Sequence, residues 1–225
     1  MNDPFATTPE PSEELSGLKR RILALEQSEA VYKRELAFEH LISDLSSKFV
    51  NISPERVDSE IERALKRICA FTRSDHCALL SVLPEKGVWR ITHFAAVKDA
   101  PSVPVGLELP VTMRPWVFDT LLKRKEILSF SRLDELPAEA DRDRRTYLEW
   151  GTKSSLGIPI FVEGAVDHVI SVSATENERE WPAELIPKLK LLGETCVGVL
   201  VRRRGQEELR ESGRNLLKAQ RIAGL

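Results

Sequence analysis

Three short groups of residues could carry chemistry, and the first is the tripeptide Lys153-Ser154-Ser155. A lysine followed by two serines could grip a phosphate, activate a nucleophile or stand at a pocket edge. The phosphate-binding loop G-x-x-x-x-G-K-[ST] is not matched, because Thr152 separates Gly151 from Lys153 and a strand follows instead of a helix. A serine–lysine nucleophile would need a desolvated lysine, and no G-x-S-x-G elbow supports it. We therefore interpret the segment as a helix end followed by the start of a strand.

The second group is the dipeptide His76-Cys77, and the third comprises His93 and the other cysteines. His76 and Cys77 are adjacent on a predicted strand, so they point to opposite faces and cannot easily share a metal ion. Neither C-x-x-C nor H-E-x-x-H occurs, and we predict no metal site. His93 is a candidate contact for haem or a small molecule, with a half-buried structural role as the alternative. Cys69, Cys77 and Cys196 are odd in number and widely spaced, as expected for reduced, buried thiols.

Size and charge limit the classes of function. The chain has 225 residues, of which 42% are hydrophobic and 30% charged, which suits one well-cored domain with appendages. Its formal charge of -2 gives no general attraction to nucleic acid or to an anionic membrane. No apolar run approaches the ~18–20 residues of a membrane helix, and the N-terminus lacks the features of a secretory signal. We expect a cytoplasmic protein whose partners are proteins or small molecules.

The N-terminal part of the chain is predicted to be a tail followed by a long helix. Residues 1–14 are rich in Pro, Thr, Ser and Glu and are expected to be disordered. Residues 15–52 carry apolar side chains at alternating steps of three and four, which is the pattern of a coiled-coil seam interrupted at Glu29. The seam consists of Leu15, Leu18, Ile22, Leu25, Tyr32 and Leu36.

The remaining residues predict an α+β domain over 53–204. A helix that follows Ser53 precedes a hairpin in "DHCALLSVLPEKGVWRITHFAA". A short edge strand, a helix entered at Pro115, the strand "ILSF" and a helix opened by Pro137 come next. The segment from Ser154 to Ala174 is a second hairpin that turns at Glu163-Gly164, and a long helix begins near Trp181.

This order of elements resembles the GAF domain. "GTKSSLGIPIFVEGAVDHVISVSATENEREWPAELIPKLKLLGETCVGVLVRR" is similar to the closing half of that family, and "VWRITHFA" and "PWVFDTLLKRKEILSF" are similar to its third strand and the following helix and strand. The resemblance implies a three-layer sandwich with a central antiparallel sheet of five or six strands and helices on both sides. One departure is His168, which stands where the family usually has a glycine.

The resemblance also implies a ligand pocket on one face of the sheet. Lys153 and Arg145 at its edge would favour an anionic or polar ligand. No cofactor is identified, since the order His-Cys argues against a bilin attached through Cys-His and the "NKFDE" motif of cyclic-nucleotide-binding relatives is missing. Each wall residue could equally be ordinary core or rim: Trp89, Ile91, His93, Met113, Trp116, Arg145, Tyr147, Ser154 and Ser155.

The end of the chain, "ELRESGRNLLKAQRIAGL", resembles the linker that precedes a PAS domain in bacterial sensor histidine kinases. We therefore expect residues 205–225 to be a signalling helix that leads to a further domain. The apolar stripes of the two terminal helices, including Leu192, Cys196 and Val199, suggest a parallel homodimer. The expected function is a non-catalytic sensory and dimerisation domain of a histidine kinase. Alternatives are the input domain of a transcriptional regulator or of a cyclic-dinucleotide enzyme, or a small reductase that uses reactive cysteines.

Overall fold

The computed structural model describes residues 11–97 and 103–223. The chain forms two compact units, residues 1–41 and residues 42–225. The second unit contains a six-stranded antiparallel sheet with helices on both sides, and this confirms the expected fold class. Within the described ranges, no helix is long and apolar enough to cross a membrane.

Helix α1 (Pro11–Val50) is continuous for 40 residues. The prediction of a tail over residues 1–14 is wrong for residues 11–14, which are helical because Pro11 can occupy the first position of a helix. Residues 1–10 lie outside the described residues. Glu29, the predicted interruption of the seam, lies within the continuous helix, and its carboxylate pairs with Lys33 one turn later at 2.6 Å.

The seam residues of α1 point into solvent in the isolated chain. Leu15, Leu18, Ile22, Leu25 and Tyr32 each keep more than half of their surface exposed, and Leu36 is partly buried. A stripe of this kind on a long helix is typical of a surface that packs against another helix. The dimer contact itself stays a prediction.

Helix α2 (Val57–Thr72) follows a single 3-10 turn at Pro54–Arg56. Its apolar residues recur on one face and are buried, among them Ile61, Leu65 and Ile68. The helix ends at Arg73, whose left-handed conformation (φ 53°) turns the chain towards the first strand.

The sheet is built from two long hairpins and two short edge strands. The first hairpin pairs β1 (His76–Leu83) with β2 (Val88–Ala96), and the second pairs β5 (Ser154–Val162) with β6 (Ala165–Ala174). Strands β3 (Glu108–Pro110) and β4 (Leu128–Phe130) form the edges. The strand order is β3-β2-β1-β6-β5-β4, which places β1 and β6 side by side at the centre.

Each face of the sheet has its own apolar core. Helices α2 and α5 (Leu185–Ala223) cover one face, which we call the helix face. Helix α3 (Pro115–Phe118), its π-helical continuation Asp119–Lys123 and helix α4 (Asp141–Glu149) lie on the opposite face, which we call the cavity face.

Helix α5 corrects part of the predicted dimer surface and one predicted boundary. Leu192, Cys196 and Val199 are at most 5% exposed and belong to the core of their own domain. An apolar helical stripe does not reveal what covers it, and here the sheet does so. There is also no break at residue 204, because α5 runs without interruption through Ala223.

Candidate functional site

A cavity of about 400 Å³ opens on the cavity face of the sheet. Its floor comes from the central strands β1, β2 and β6, and its walls come from the segment before β3, from Arg114 and from the C-terminal end of α4. Volumes of this size accommodate small organic ligands. The lining residues are His76, Ala78, Leu80, Ile91, Phe94, Val103, Pro104, Leu107, Leu109, Arg114, Tyr147, Glu149, Trp150, Thr152, Ser171 and Ser173.

Arg114 is the best-positioned cation at this cavity. The centre of its guanidinium lies 5.2 Å from the ring centroid of Tyr147 and 5.0 Å from that of Trp150, so two aromatic faces hold it. One guanidinium N–H also donates to the hydroxyl of Tyr147 at 3.3 Å. The arrangement presents a fixed positive charge to the cavity.

The side chain of Tyr147 is itself buried in the apolar core of the cavity face. Its ring packs edge-on against Phe130 at a centroid distance of 4.9 Å, and only 3% of its surface is exposed. Burial raises the pKa of the Tyr147 phenol above its ordinary value, so the group is neutral at physiological pH. Tyr147 is therefore a rigid hydrogen-bonding support for the arginine.

Asp143 sets the position of α3 relative to α4. Its fully buried carboxylate accepts hydrogen bonds from the backbone N–H groups of Val117 at 2.9 Å and Trp116 at 3.3 Å, which caps the start of α3. Thr146, one turn further along α4, donates to the carbonyl oxygen of Met113 at 3.0 Å. These bonds fix the chain on both sides of Arg114 and so place its side chain beside Tyr147.

The sheet supplies polar groups on the other side of the cavity. The ring of His76 lies against Phe94 at a centroid distance of 5.2 Å. Ser171 and Ser173 of β6 face the same space, and the hydroxyl of Ser173 is 3.2 Å from that of Ser155. The cavity therefore combines apolar walls with hydroxyl, imidazole and guanidinium groups.

The structure brings together four of the nine predicted pocket residues at or next to this cavity. Ile91 and Tyr147 line it, and Ser155 lies directly behind Ser173. Trp89 lies deeper in the same core, where its ring meets Phe118 edge-on at 5.7 Å.

The other predicted residues do not line the cavity. Met113 and Trp116 pack on the apolar core of the same face, and the guanidinium of Arg124 covers the Trp116 ring at 5.6 Å. Arg145 points away and pairs with Asp141 at 2.5 Å, because its place on α4 is on the exposed side.

Lys153 does not supply a pocket charge either, since its ammonium group donates to the carbonyl oxygen of Glu176 at 2.6 Å. Neither predicted rim cation lines the cavity, and the cation at its wall is Arg114.

His93 and Ser154 were predicted in the pocket, and both are on the helix face. Leu79 of β1 pairs with His93 while Leu80 pairs with Ile91, so Thr92 is an extra residue in the strand. This β-bulge reverses the inward and outward alternation after Ile91 and turns His93 to the other side of the sheet. Ser154 is fully buried there.

The three cysteines also lie on the helix face, as buried free thiols. Burial raises the pKa of Cys196 to about 12 and also raises the pKa of Cys77. A hydrogen bond between the thiols of Cys69 and Cys77 lowers the pKa of Cys69. Among the residues that the structure describes, no group of three or more His, Cys, Asp or Glu could hold a metal ion.

Several cavity residues carried weak signals or none in the sequence. His76 was weighed only as a partner of Cys77, and the opposite directions of the two side chains are confirmed. Arg114 directly precedes the helix-opening Pro115, and Trp150 directly follows the last residue of α4. Their contact joins two elements that are remote in sequence, so local patterns could not reveal it.

Known structures of the same fold include domains of phytochromes and of phosphotransferases. The phycoerythrobilin-bound GAF domain of a cyanobacterial phytochrome is 13% identical, with a TM-score of 0.63 over 77% of this chain and 99% of that one. The GAF domain of a Coxiella burnetii phosphoenolpyruvate-protein phosphotransferase is 15% identical, with a TM-score of 0.61 over 77% of this chain and 98% of that one. At these identities the likeness shows the fold alone.

A third similar structure is the GAF domain of PixJ from Thermosynechococcus elongatus in its blue-light-absorbing form. It is 15% identical, with a TM-score of 0.57 over 72% of this chain and 96% of that one. The comparison with curated proteins finds no match. The family model for the GAF domain matches residues 56–202, from the start of α2 to the middle of α5. The chain therefore belongs to the GAF domain family.

Proposed function

We propose that this chain is a non-catalytic sensory domain that binds a small molecule in the 400 Å³ cavity and relays its presence through the flanking helices. The observation that carries this proposal is Arg114, held by Tyr147 and Trp150 at the wall of an otherwise largely apolar cavity. A fixed cation of this kind is a recognition group, since its hydrogen bond to Tyr147 uses one of the five N–H donors of a guanidinium.

The lining supports one ligand class. Leu80, Ile91, Phe94, Leu107 and Leu109 offer apolar contact area. The guanidinium of Arg114 and the hydroxyl groups of β6 offer hydrogen bonds. We infer a ligand with a compact apolar or aromatic body and one carboxylate or similar anionic group.

The positions of the thiols bear on two other ligand and reaction classes. All three cysteines of the chain are buried on the helix face, across the sheet from the cavity. A bilin bonded to a cysteine of this chain therefore does not fit the cavity. A reductase that attacks its substrate with a cavity thiol is disfavoured for the same reason.

Helices α5 and α1 are the proposed route by which ligand binding would be transmitted. Helix α5 packs on β5 and β6 through residues such as Leu189 and Leu192 and then continues to Ala223. A ligand that binds two arrangements of this packing with different affinity would shift the balance between them. We propose that α5, together with the exposed seam of α1 in a parallel homodimer, transmits this shift to a following domain of a bacterial sensor histidine kinase.

The first test uses 8-anilinonaphthalene-1-sulfonate, an aromatic anion of the inferred class, whose fluorescence rises in apolar sites. We expect saturable binding of one probe per chain. Arg114→Gln should weaken this binding about tenfold or more, because a charge-assisted hydrogen bond contributes roughly 1.5–3 kcal/mol. Arg145→Gln is the matched control and should bind as the unaltered chain does. Equal affinity of the two variants would contradict the proposal.

A native mass spectrum of the purified chain complements this test, because it reports a retained small molecule and the number of subunits together. Added mass that is lost in Arg114→Gln but kept in Arg145→Gln would identify a natural ligand of this site. Added mass kept in both variants would place that ligand elsewhere.

A further inference from the structure

The helix face contains two β-bulges, and each ends in a buried histidine. In β2 the extra residue is Thr92 and the next is His93, which is 4% exposed. In β6, Ile160 pairs with His168 while Phe161 pairs with Val166, so Asp167 is the extra residue, and His168 is 2% exposed. The bulges turn both imidazoles to the helix face, on either side of β1.

Each histidine is bonded to an aspartate, and each aspartate is bonded to an arginine of α5. His93 Nε2 donates to Asp58 Oδ1 at 3.1 Å, and Arg203 donates to the same oxygen at 2.9 Å. His168 Nδ1 donates to Asp167 Oδ2 at 2.5 Å, and Arg204 reaches the other oxygen of that carboxylate at 3.5 Å. We call these two chains of contacts the His–Asp–Arg clamp.

The clamp lies where α5 leaves the body of its domain. Val199 and Leu200 are the last buried apolar residues among the side chains of this helix that the structure describes, and residues 206–215 are exposed. Arg202 adds a third anchor, because its guanidinium donates to the carbonyl oxygen of Phe49 at the end of α1. Three consecutive arginines therefore tie the exit of α5 to α1, to α2 through Asp58 and to β6 through Asp167.

The arginines around the clamp are already paired with carboxylates. A polar cavity of about 380 Å³ surrounds the two histidines, but Arg203 and Arg204 face the aspartates and Arg90 is paired with Glu108. Each of the three arginines that line this cavity therefore already has a carboxylate partner. The charged groups that face the two imidazoles are Asp58 and Glu62 from α2, Arg90 from β2, Asp167 from β6, and Arg203, Arg204 and Glu207 from α5.

Adding a proton to either imidazole would disturb these pairings. Burial lowers the pKa of both histidines below the ordinary value. The hydrogen bonds and negative charges of Asp58 and Asp167 partly offset this effect, and the charges of Arg203 and Arg204 lower the pKa further. The Arg203 hydrogen bond lowers the pKa of Asp58, which is therefore a carboxylate at neutral pH. An imidazolium would compete with the arginine for the same carboxylate while repelling that arginine.

The direction of the pH effect follows from the lowered histidine pKa values. The folded state binds these protons less tightly than the unfolded chain does. The contribution of the neutral histidines to stability is complete above the unfolded pKa of about 6.5 and is lost as the pH falls towards the folded values.

We propose that the His–Asp–Arg clamp is a proton-sensitive coupling that holds the exit of α5 against α2 and β6, and that protonation of His93 and His168 releases it. This device acts on α5 independently of the ligand cavity, since the clamp and the cavity lie on opposite faces of the sheet. A change in cytoplasmic acidity would alter the helix that leads to the output domain even without a ligand.

The experiment measures the distance between nitroxide spin labels by pulsed electron paramagnetic resonance in the full chain. Labels on Lys66→Cys of α2 and Glu211→Cys of α5 report the position of the C-terminal part of α5 relative to α2. Dilution with unlabelled chain removes the distances between subunits. We expect one narrow distribution at pH 7.5 and a broadened or shifted one at pH 5.5. His93→Gln/His168→Gln should give the same distribution at both pH values, whereas the exposed control His40→Gln should respond like the parent.

Two further measurements keep the proposal testable if the double histidine variant does not fold. Arg203→Gln/Arg204→Gln should show the broadened distribution already at pH 7.5. In the unaltered chain, nuclear magnetic resonance of selectively labelled histidine should give pKa values below 6.5 for His93 and His168. Imidazole pKa values above 6.5, or a distance distribution that does not change with pH, would overturn the proposal. Probe binding in the cavity should persist in the clamp variants, so the two proposals can fail separately.

Discussion

Gly193 of α5 lies so close to Ile160 of β5 that a Cβ atom at this glycine would stand 2.9 Å from Ile160 Cδ1. The same Cβ would also lie 2.9 Å from Cγ2 of Ile170 on β6. Real Cβ atoms do not approach other carbon atoms this closely. The absence of a side chain at Gly193 therefore allows α5 to pack closely against the sheet. This contact connects α5 to the hairpin β5–β6, and strand β6 also contributes to the cavity.

Gly193→Ala should therefore destabilise the domain. Overpacking of this kind typically costs about 1–3 kcal/mol, and the helix propensity of alanine returns less than 1 kcal/mol of that. Gly198→Ala is the matched control, because nothing lies within 4 Å of its added Cβ, and it should be neutral or stabilising. Urea unfolding of both variants measures the difference. A Gly193→Ala protein as stable as Gly198→Ala would show that the helix is not held at this distance.

The sequence predicts the elements of this fold better than their irregularities. Alternating apolar residues and turn residues are local signals, so the hairpins β1–β2 and β5–β6 and the edge strands could be read directly. A bulge adds one residue without changing composition, and this is why His93 was expected on the cavity face. The aromatic support of Arg114 and the burial of Leu192 depend on tertiary contacts that no local pattern records.

Asp143→Ala should lower stability and loosen the cavity wall. The fully buried carboxylate accepts hydrogen bonds from two backbone N–H groups at the start of α3, and its loss leaves both donors unsatisfied. We expect a loss of about 2–4 kcal/mol in the free energy of unfolding. Asp141→Ala, two residues earlier on the exposed side of α4, should change it by less than about 0.5 kcal/mol.

The Asp143 comparison also has a functional readout. Asp143→Ala should weaken binding of the fluorescent probe, because the chain around Arg114 loses its anchor, and Asp141→Ala should not. Equal probe affinity in the two variants would mean that the position of Arg114 does not depend on this cap.

The three thiols should be unreactive in the folded protein. Cys69, Cys77 and Cys196 are fully buried, and burial raises the pKa of Cys196 to about 12, so at pH 8 it is not a thiolate. Iodoacetamide should modify none of them within an hour and all three in guanidinium chloride, as mass spectrometry would show. A cysteine placed at the exposed Glu211 is the positive control. Native modification at the rate of that control would contradict the burial of these thiols and reopen the possibility of thiol chemistry.

Ile22→Asp should separate the proposed homodimer. Ile22 is at the centre of the seam on α1 and is 55% exposed in the single chain, so a carboxylate there would be buried against the partner helix without a counter-charge. We expect the dissociation constant, measured by sedimentation velocity, to rise at least about tenfold, which corresponds to about 1.4 kcal/mol.

The adjacent Leu23 is equally exposed, at 56%, but lies off the seam, so Leu23→Asp is a control of the same size and charge. A similar effect of both variants would indicate a general loss of hydrophobicity rather than a specific seam, and a monomeric parent chain would remove paired helices from the relay. A dimer lost only in Ile22→Asp would support the pairing of two copies of α1 along Leu15, Leu18, Ile22 and Leu25, on which the proposed relay depends.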